Sequence, residues 1–473
     1  MNKLLFFYMS MEKIKRIEEI NMKKSLLSLL SMMSAATLLA ACGGSDPGAS
    51  SGNDGGETAD AGTVYYLNFK PEIADAIEDL AEAYTEETGI EVKMVTAASG
   101  TYEQTLKTEI TKSAPPTVFF INGPIGYNNW KDYTLDLSQT DLYSWLVDKD
   151  LAITEDSSVY GLPITVEGYG IIYNNAIMET YFASANKKTD YTSVDDINNF
   201  DALKAVVEDM TALKDELGIE GVFSSTSLAS GEQWRFQTHL ANLPIYYEYK
   251  DKDVDSLSEI DFTHSKEYQN IFDLYLNNST TAPGLLGSKT TTDSMTEFAL
   301  GKSAMVQNGN WGWGQISGTE GNVVNEEDVH FMPIYIGAEG EESQGLAIGT
   351  ENFLAINSQA AEEDIQASID FVEWMYSSET GKDYVINEFG FIPTFNSFTE
   401  DEFPTDPLAQ DVLASMNDEM QYSVPWSFTT FPSEQFKDDF GSALLMYAQE
   451  QATWDEVTET VIDSWAREAS LTQ

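Results

Sequence analysis

Two tryptophans stand two residues apart in the glycine-rich run Asn308-Gly309-Asn310-Trp311-Gly312-Trp313. An indole offers a wide flat apolar face with one polar handle, the surface on which the C–H face of a sugar ring can lie. If the run is extended, residues i and i+2 point the same way and Trp311 and Trp313 share one platform. If it is folded inward, the same pair is core. A second such place is Ser230-Gly231-Glu232-Gln233-Trp234-Arg235, where an indole adjoins one of only two arginines after the N-terminal segment, the other being Arg467. The guanidinium fork of Arg235 suits paired hydroxyls or a carboxylate; equally, Arg235 could pair with Glu232 along a helix. Trp426, in Val424-Pro425-Trp426-Ser427, is a further aromatic candidate, with Phe69 and Phe391 behind it, each open to a packing role instead.

Other chemistries find less support. Asp251, Asp253 and Asp255 alternate like the start of a calcium loop, but the sixth position is Ser256 and the twelfth Phe262, so a hairpin turn is the simpler reading. Gly340-Glu341-Glu342-Ser343-Gln344-Gly345 misses the spacing of a nucleophile elbow by one residue and reads as an exposed acidic loop. His239, His264 and His330 lie far apart, and Cys42 is the only cysteine, so no metal site or disulfide framework is expected. Neither a phosphate-binding loop nor a dinucleotide fingerprint occurs, and no cofactor is expected. With 25 Lys+Arg against 78 Asp+Glu, a net charge of −53, the chain lacks the basic face that nucleic acid requires.

The N-terminus carries its own chemistry. From Met22, the basic pair Lys23-Lys24, the apolar stretch Leu26 to Leu39 and the small residues Ala40 and Ala41 form a secretory signal, which makes Met22 a better start than Met1. The stretch is too short to span a bilayer, which takes roughly 20 apolar residues. Leu39-Ala40-Ala41-Cys42-Gly43 resembles a bacterial lipobox, which implies cleavage before Cys42, lipidation of its thiol and a location on the outer face of the cell membrane. Residues 22–41 are then the signal peptide. Residues 42–62, rich in Gly, Ser, Asp and Ala, are a lipidated flexible tether.

The elements that must position the candidate residues follow from hydrophobic period. Val64 to Phe69 is a short apolar strand; Pro71 opens a helix bearing Ile73, Ile77, Leu80, Ala81 and Tyr84; Gly89 stops it; Ile90, Val92 and Met94 alternate as a second strand. This βαβ unit demands a parallel pair. A helix with Tyr102, Leu106 and Ile110 leads past Pro115-Pro116 to the strand Val118 to Ile121, and Asn122-Gly123-Pro124 forms a loop at its C-terminal end. Ligands of open α/β sheets bind outside such ends, so Asn122 is a site candidate, although turn chemistry alone also explains it. Ile365, Ile369, Val372 and Tyr376 share one helical stripe, as do Phe436, Phe440, Leu444 and Tyr447. Thr453 and Glu456 make a capping box for a last helix with Val457, Val461 and Trp465. The class is α/β, long enough for two domains.

Four segments together resemble the extracellular solute-binding protein family 1 of ABC importers, the group of maltodextrin- and multiple-sugar-binding lipoproteins. They are Tyr160-Gly161-Leu162-Pro163 through Glu167-Gly168-Tyr169-Gly170-Ile171-Ile172-Tyr173-Asn174; Phe298-Ala299-Leu300-Gly301-Lys302-Ser303-Ala304-Met305 with the Trp311 run; Leu346-Ala347-Ile348-Gly349 through Asn357; and Gly390-Phe391-Ile392-Pro393. The resemblance implies a two-lobed periplasmic-binding-protein-like (type II) fold with three crossings, near Thr165, Pro333 and Phe389. Lobe one would hold 64–165 plus 334–388, and lobe two 166–333 plus 389–473. It implies that Trp311 rather than Trp313 stacks on sugar, that Glu167 at the first crossing accepts sugar hydroxyls, and that Trp234 is another stacking ring. The expected protein is a monomeric, non-enzymatic carbohydrate receptor, lipid-anchored to the membrane and serving an ABC permease. The rival readings are a secreted glycoside hydrolase with a carboxylate pair, a binder of a non-sugar solute such as a glycerol phosphate, and an adhesin.

Overall fold

The computed structural model describes residues 62–399 and 401–471; Cys42, the expected signal peptide and all of the expected tether but Gly62 lie outside them. The chain first lays down β1 (Val64–Asn68), β2 (Val92–Thr96), β3 (Val118–Asn122), β4 (Ile153–Glu155) and β5 (Ser158–Pro163). It then builds β6 (Glu167–Asn174), β7 (Gly221–Phe223), β8 (Ser303–Gly309), β9 (Val329–Met332) and β10 (Gln344–Gly349), returns for β11 (Asn352–Ile356), and ends with β12 (Tyr422–Pro425). The strands form two six-stranded sheets, ordered β2-β1-β3-β11-β5-β4 and β12-β10-β6-β8-β7, with β9 on the free edge of β6. Each sheet is the centre of one lobe.

In lobe one, β1 pairs parallel with β2 and β3, while β11 runs antiparallel to both β3 and β5. The inner strands are apolar on both faces, as a sheet covered by helices on each side requires. Alternate residues of β3 divide accordingly. Val118 and Phe120 pack with Leu80, Phe371 and Met375, whereas Phe119 and Ile121 pack with Leu106, Tyr127 and Trp130. The helix Ala74–Thr88 is closed by Gly89 in the left-handed conformation, φ 77°.

The largest core lies in lobe two. It gathers Tyr169 and Ile171 of β6, Val206 and Met210 of the helix Phe200–Ala212, Phe272 of the helix Ser265–Asn277, and the two C-terminal helices. Phe436, Phe440 and Leu444 form one buried stripe of the helix Glu434–Ala448. Val457, Val461 and Trp465 are fully buried on the helix Trp454–Ala469, which starts at the capping box of Thr453 and Glu456.

Several local expectations differ from the structure. The second strand starts at Val92 rather than Ile90, and Asn122-Gly123-Pro124 is no loop: the helix Gly123–Trp130 begins directly after β3, with Pro124 in its first turn, where a missing N–H costs nothing. On the helix Glu362–Ser377 the buried stripe is Ala367, Phe371, Val372, Met375 and Tyr376, with Ile365 and Ile369 at its margin. Asp251 to Asp255 form no hairpin, because Asp253 is the left-handed cap of the helix Asn242–Lys252. Glu341 is not on an exposed loop: it is 2% exposed and accepts hydrogen bonds from the backbone N–H groups of Phe200, Ile336 and Gly337.

The lobe boundaries also move. The chain passes from β5 to β6 through 164–166. The return expected near Pro333 comes later, because Gln344–Gly349 pairs with Glu167, Gly168 and Tyr169 in the second sheet. The crossing is therefore at 350–351. The third falls after Phe398 rather than at Phe389, since Phe389, Phe391, Phe395 and Phe398 all belong to the lobe-one core.

Candidate functional site

The ends of β1 and β3 in lobe one and of β6, β8 and β10 in lobe two converge where the lobes meet. Lys70 directly follows Phe69 past the end of β1, a position that open α/β sheets reserve for ligands. Its Nζ lies 2.6 Å from Oε1 of Glu167, the first residue of β6, with both side chains nearly fully buried. This ion pair joins residues 97 positions apart and ties one lobe to the other. Lys70 also sits 3.5 Å from Glu72 and beside the rings of Phe69, Trp311 and Phe391, with centroid distances of 5.1, 5.6 and 5.7 Å. Such contacts suit an ammonium over ring faces. Burial opposes the charge of Lys70, but Glu167 and Glu72 outweigh it and hold the ammonium above its usual range.

Lobe two supplies an aromatic wall. Trp311 is half-buried, 6.2 Å from Trp234, 5.5 Å from His239 and 6.4 Å from Trp426, the last edge-on. Two indoles rest on glycines where any added side chain would have to displace the ring. A Cβ on Gly309 would lie 2.1 Å from the Trp311 ring, and one on Gly349 would lie 2.6 Å from that of Trp426. Asn242 fixes the Trp426 loop by donating to the Pro425 carbonyl and accepting from the Phe428 N–H. Asn310 accepts from the N–H of Gly168 at 3.0 Å and so anchors the turn carrying Trp311 to β6. Tyr169 donates to the His239 carbonyl at 2.8 Å. Burial pushes the His239 imidazole down to about 3, so it is neutral and acts as a polar ring in this wall.

Lys437, the other buried lysine at the seam, is itself paired with Glu434 at 2.6 Å, and carboxylates predominate around it. Glu351, at the second crossing, keeps partial solvent contact while protein surrounds it; burial first, and then the charge of Glu167, push its carboxyl up to about 7. Its backbone carbonyl accepts from Gly123 N at 3.0 Å, which joins the crossing to the end of β3. Elsewhere the lobes touch backbone to backbone: a Cβ on Gly100 would lie 2.5 Å from the Gly231 carbonyl oxygen, and Gly123 faces Thr429.

The expected site residues thus part company. Trp311, Trp234, Trp426 and Glu167 come together, and Asn122, half-buried at the end of β3, stands at the same seam. Trp313 does not join them. Asn310–Gly312 forms a tight helical turn rather than an extended run, so the two indoles diverge, and Trp313 packs with Met295, Phe298 and Ile316. Arg235 is 1% exposed inside lobe two and neither faces the cleft nor pairs with Glu232, whose carboxylate instead accepts from Thr291 N. Lys70 and Glu351 have no place among the sequence candidates, and His239 figures there only as a metal ligand set aside. The strand-end rule that selected Asn122 also points to Phe69 and Lys70; nothing local marks Glu351 or His239.

A family model described as bacterial extracellular solute-binding protein matches residues 79–413. The chain belongs to that family. Among curated proteins, none matches its sequence. Solved solute-binding structures share its fold at low identity. A chitin oligosaccharide binding protein is 16% identical, with TM-score 0.67 over 87% of this chain and all of the other. The solute-binding protein RafE, in complex with raffinose, is 17% identical, with TM-score 0.66 over 86% of this chain and 99% of the other. A sugar transporter protein from Bacillus licheniformis, in complex with stachyose, is 15% identical, with TM-score 0.65 over 86% of this chain and all of the other. This solute-binding protein shares their two-lobed α/β architecture. No described helix is long and apolar enough to cross a membrane, and among the described residues no cluster of His, Cys, Asp or Glu could hold a metal ion.

Proposed function

We propose that this solute-binding protein captures an uncharged sugar or oligosaccharide between its lobes and delivers it to an ABC permease. The observation that carries the reading is the wall of Trp234, Trp311 and Trp426 facing the Lys70–Glu167 pair. Indoles take the C–H faces of pyranose rings. The ammonium donates to hydroxyl oxygens, and the carboxylate accepts from hydroxyl hydrogens. An anionic solute such as a glycerol phosphate fits poorly, because Glu72, Glu103, Glu167, Glu351 and Glu434 outnumber Lys70 and Lys437 at this seam and Arg235 is buried elsewhere.

Closure would work by differential contact. Trp311 and Glu167 sit on one lobe and Lys70 on the other, so a sugar touching all three favours the closed state by that difference in affinity. A dissociation constant of about 1 μM needs only about 8 kcal/mol net, within reach of stacked rings and a few hydrogen bonds. The role is capture rather than catalysis. Lipidation of Cys42 would hold the receptor on the outer face of the membrane, where the 42–62 tether raises its effective concentration near the permease.

Calorimetry over neutral oligosaccharides, acidic sugars and glycerol phosphate tests the reading. Saturable heats with neutral oligosaccharides and no cleavage products support it. Binding confined to the anions, or hydrolysis of any sugar, defeats it.

A further inference from the structure

Behind the aromatic wall, inside lobe two, lies a second polar feature with a different chemistry. Arg235 opens the π-helix Arg235–Leu240 and is 1% exposed. Its Nη1 donates to the Gln307 carbonyl at 2.9 Å, but Nε and Nη2 have no partner among the described residues. Among those residues Arg235 forms no ion pair either. The nearest acids are engaged elsewhere: Glu232 accepts from Thr291 N, while Glu297 accepts from Ser225 N, Thr280 Oγ1 and Lys289 Nζ. Burial pulls the guanidinium down only to about 10, which leaves it charged at neutral pH. Glu232 and Glu297 lie near enough to favour the charge but neither contacts it, and a buried charge without a contacting partner is among the most costly features a fold can carry.

The unpaired nitrogens belong to a small cavity of about 10 Å3, lined by Ser224, Ser225, Thr226, Arg235, Tyr275 and Gln307. Three further buried atoms of that lining lack partners: Ser225 Oγ, Tyr275 Oη and Gln307 Oε1. The hydroxyls can donate, so the cavity presents four potential donor groups and one acceptor. Its volume admits one occupant about the size of a water molecule. Carboxylate, phosphate and sulfate are too large.

We propose that this cavity binds a single halide ion, chloride in the protein's usual surroundings, held by Arg235 with the hydroxyls of Ser225 and Tyr275. A water molecule would satisfy the donors and Gln307 Oε1 but leave the guanidinium without a contacting counter-charge, since Glu232 and Glu297 act on it only from a distance; a halide supplies one. The ion would brace the π-helix that carries His239 and follows Trp234, both in the aromatic wall. It would not touch the sugar, and the proposal does not depend on the ligand of the cleft.

Two measurements on the full mature protein decide it. Thermal unfolding is followed as chloride replaces gluconate at a constant ionic strength of about 150 mM, which removes general screening. The expected result is a chloride-specific rise of about 2 °C or more, reduced in Ser225→Ala and Tyr275→Phe and absent in Arg235→Met. If Arg235→Met does not fold, the two hydroxyl variants still report. Crystals soaked in sodium bromide should show an anomalous peak beside Arg235. No chloride-specific rise, a water without anomalous signal in the cavity, or a peak at soak concentration without the thermal effect would each overturn the proposal.

Discussion

The two lobes meet at one seam with different materials. Lobe two brings rings, Trp234, His239, Trp311 and Trp426, whose contacts with one another all lie within that lobe. Lobe one brings a buried ammonium, Lys70, whose strong partner Glu167 lies across the gap. The ring wall is a property of one lobe, while the ion pair exists only when both are together. On the proposed function, stacking would set how tightly a flat solute is held, and the ion pair would set how much closure is worth.

The largest effect separates these roles. Lys70→Met leaves Glu167 buried without its counter-charge and should disfavour the closed state by about 3–5 kcal/mol. Calorimetry should show affinity lost by two orders of magnitude or more, and Lys70→Met with Glu167→Gln should recover part of it. A double variant no better than the single would mean the pair is not what closure gains.

Trp311→Ala comes next, with an expected loss of about 2–4 kcal/mol in sugar affinity. Its thermal midpoint should change little, because the ring is only half-buried. Unchanged affinity would remove Trp311 from the ligand site and leave the wall a packing feature.

Glu351 gives a smaller effect with a sign. Its carboxyl titrates at about 7 in the fold and near the usual carboxylate range, about 4.3, when unfolded. Between these values the folded state binds more protons, so stability falls as pH rises through the window. The thermal midpoint of Glu351→Gln minus that of the native protein should be near zero at about pH 4.5 and grow towards pH 8. A difference independent of pH would exclude Glu351 as the responsible group. Smallest of all, Trp313→Phe should change sugar affinity less than about threefold, under 1 kcal/mol, since its ring packs away from the wall. A larger loss would restore the shared platform that the helical turn rules out.

What could be read locally was read where local chemistry is strong. The capping box at Thr453, the stripe of Phe436, Phe440 and Leu444, and the βαβ opening all rest on contacts within a few residues, and they stand where period and capping place them. The readings that went astray depended on distant partners. Glu341 looked exposed because acidity usually means solvent; it is buried because three backbone N–H groups converge on it. Trp311 and Trp313 looked alike, and only the helical turn between them sent one to the seam and the other to a core.

By itself the sequence determined the α/β class, the βαβ opening, the helices around Leu106, Val372, Phe440 and Val461, and the tryptophans able to stack, because each follows from residue type and spacing over a few turns. Only the tertiary structure decided that Gln344–Gly349 joins the second sheet, that Lys70 meets Glu167, that Glu351 lies in an acidic seam and that Arg235 is sealed inside lobe two. The physical reason is the same in each case. Strand pairing, ion pairing and burial depend on groups brought together from far along the chain, and no local pattern records which of the many carboxylates will face Lys70.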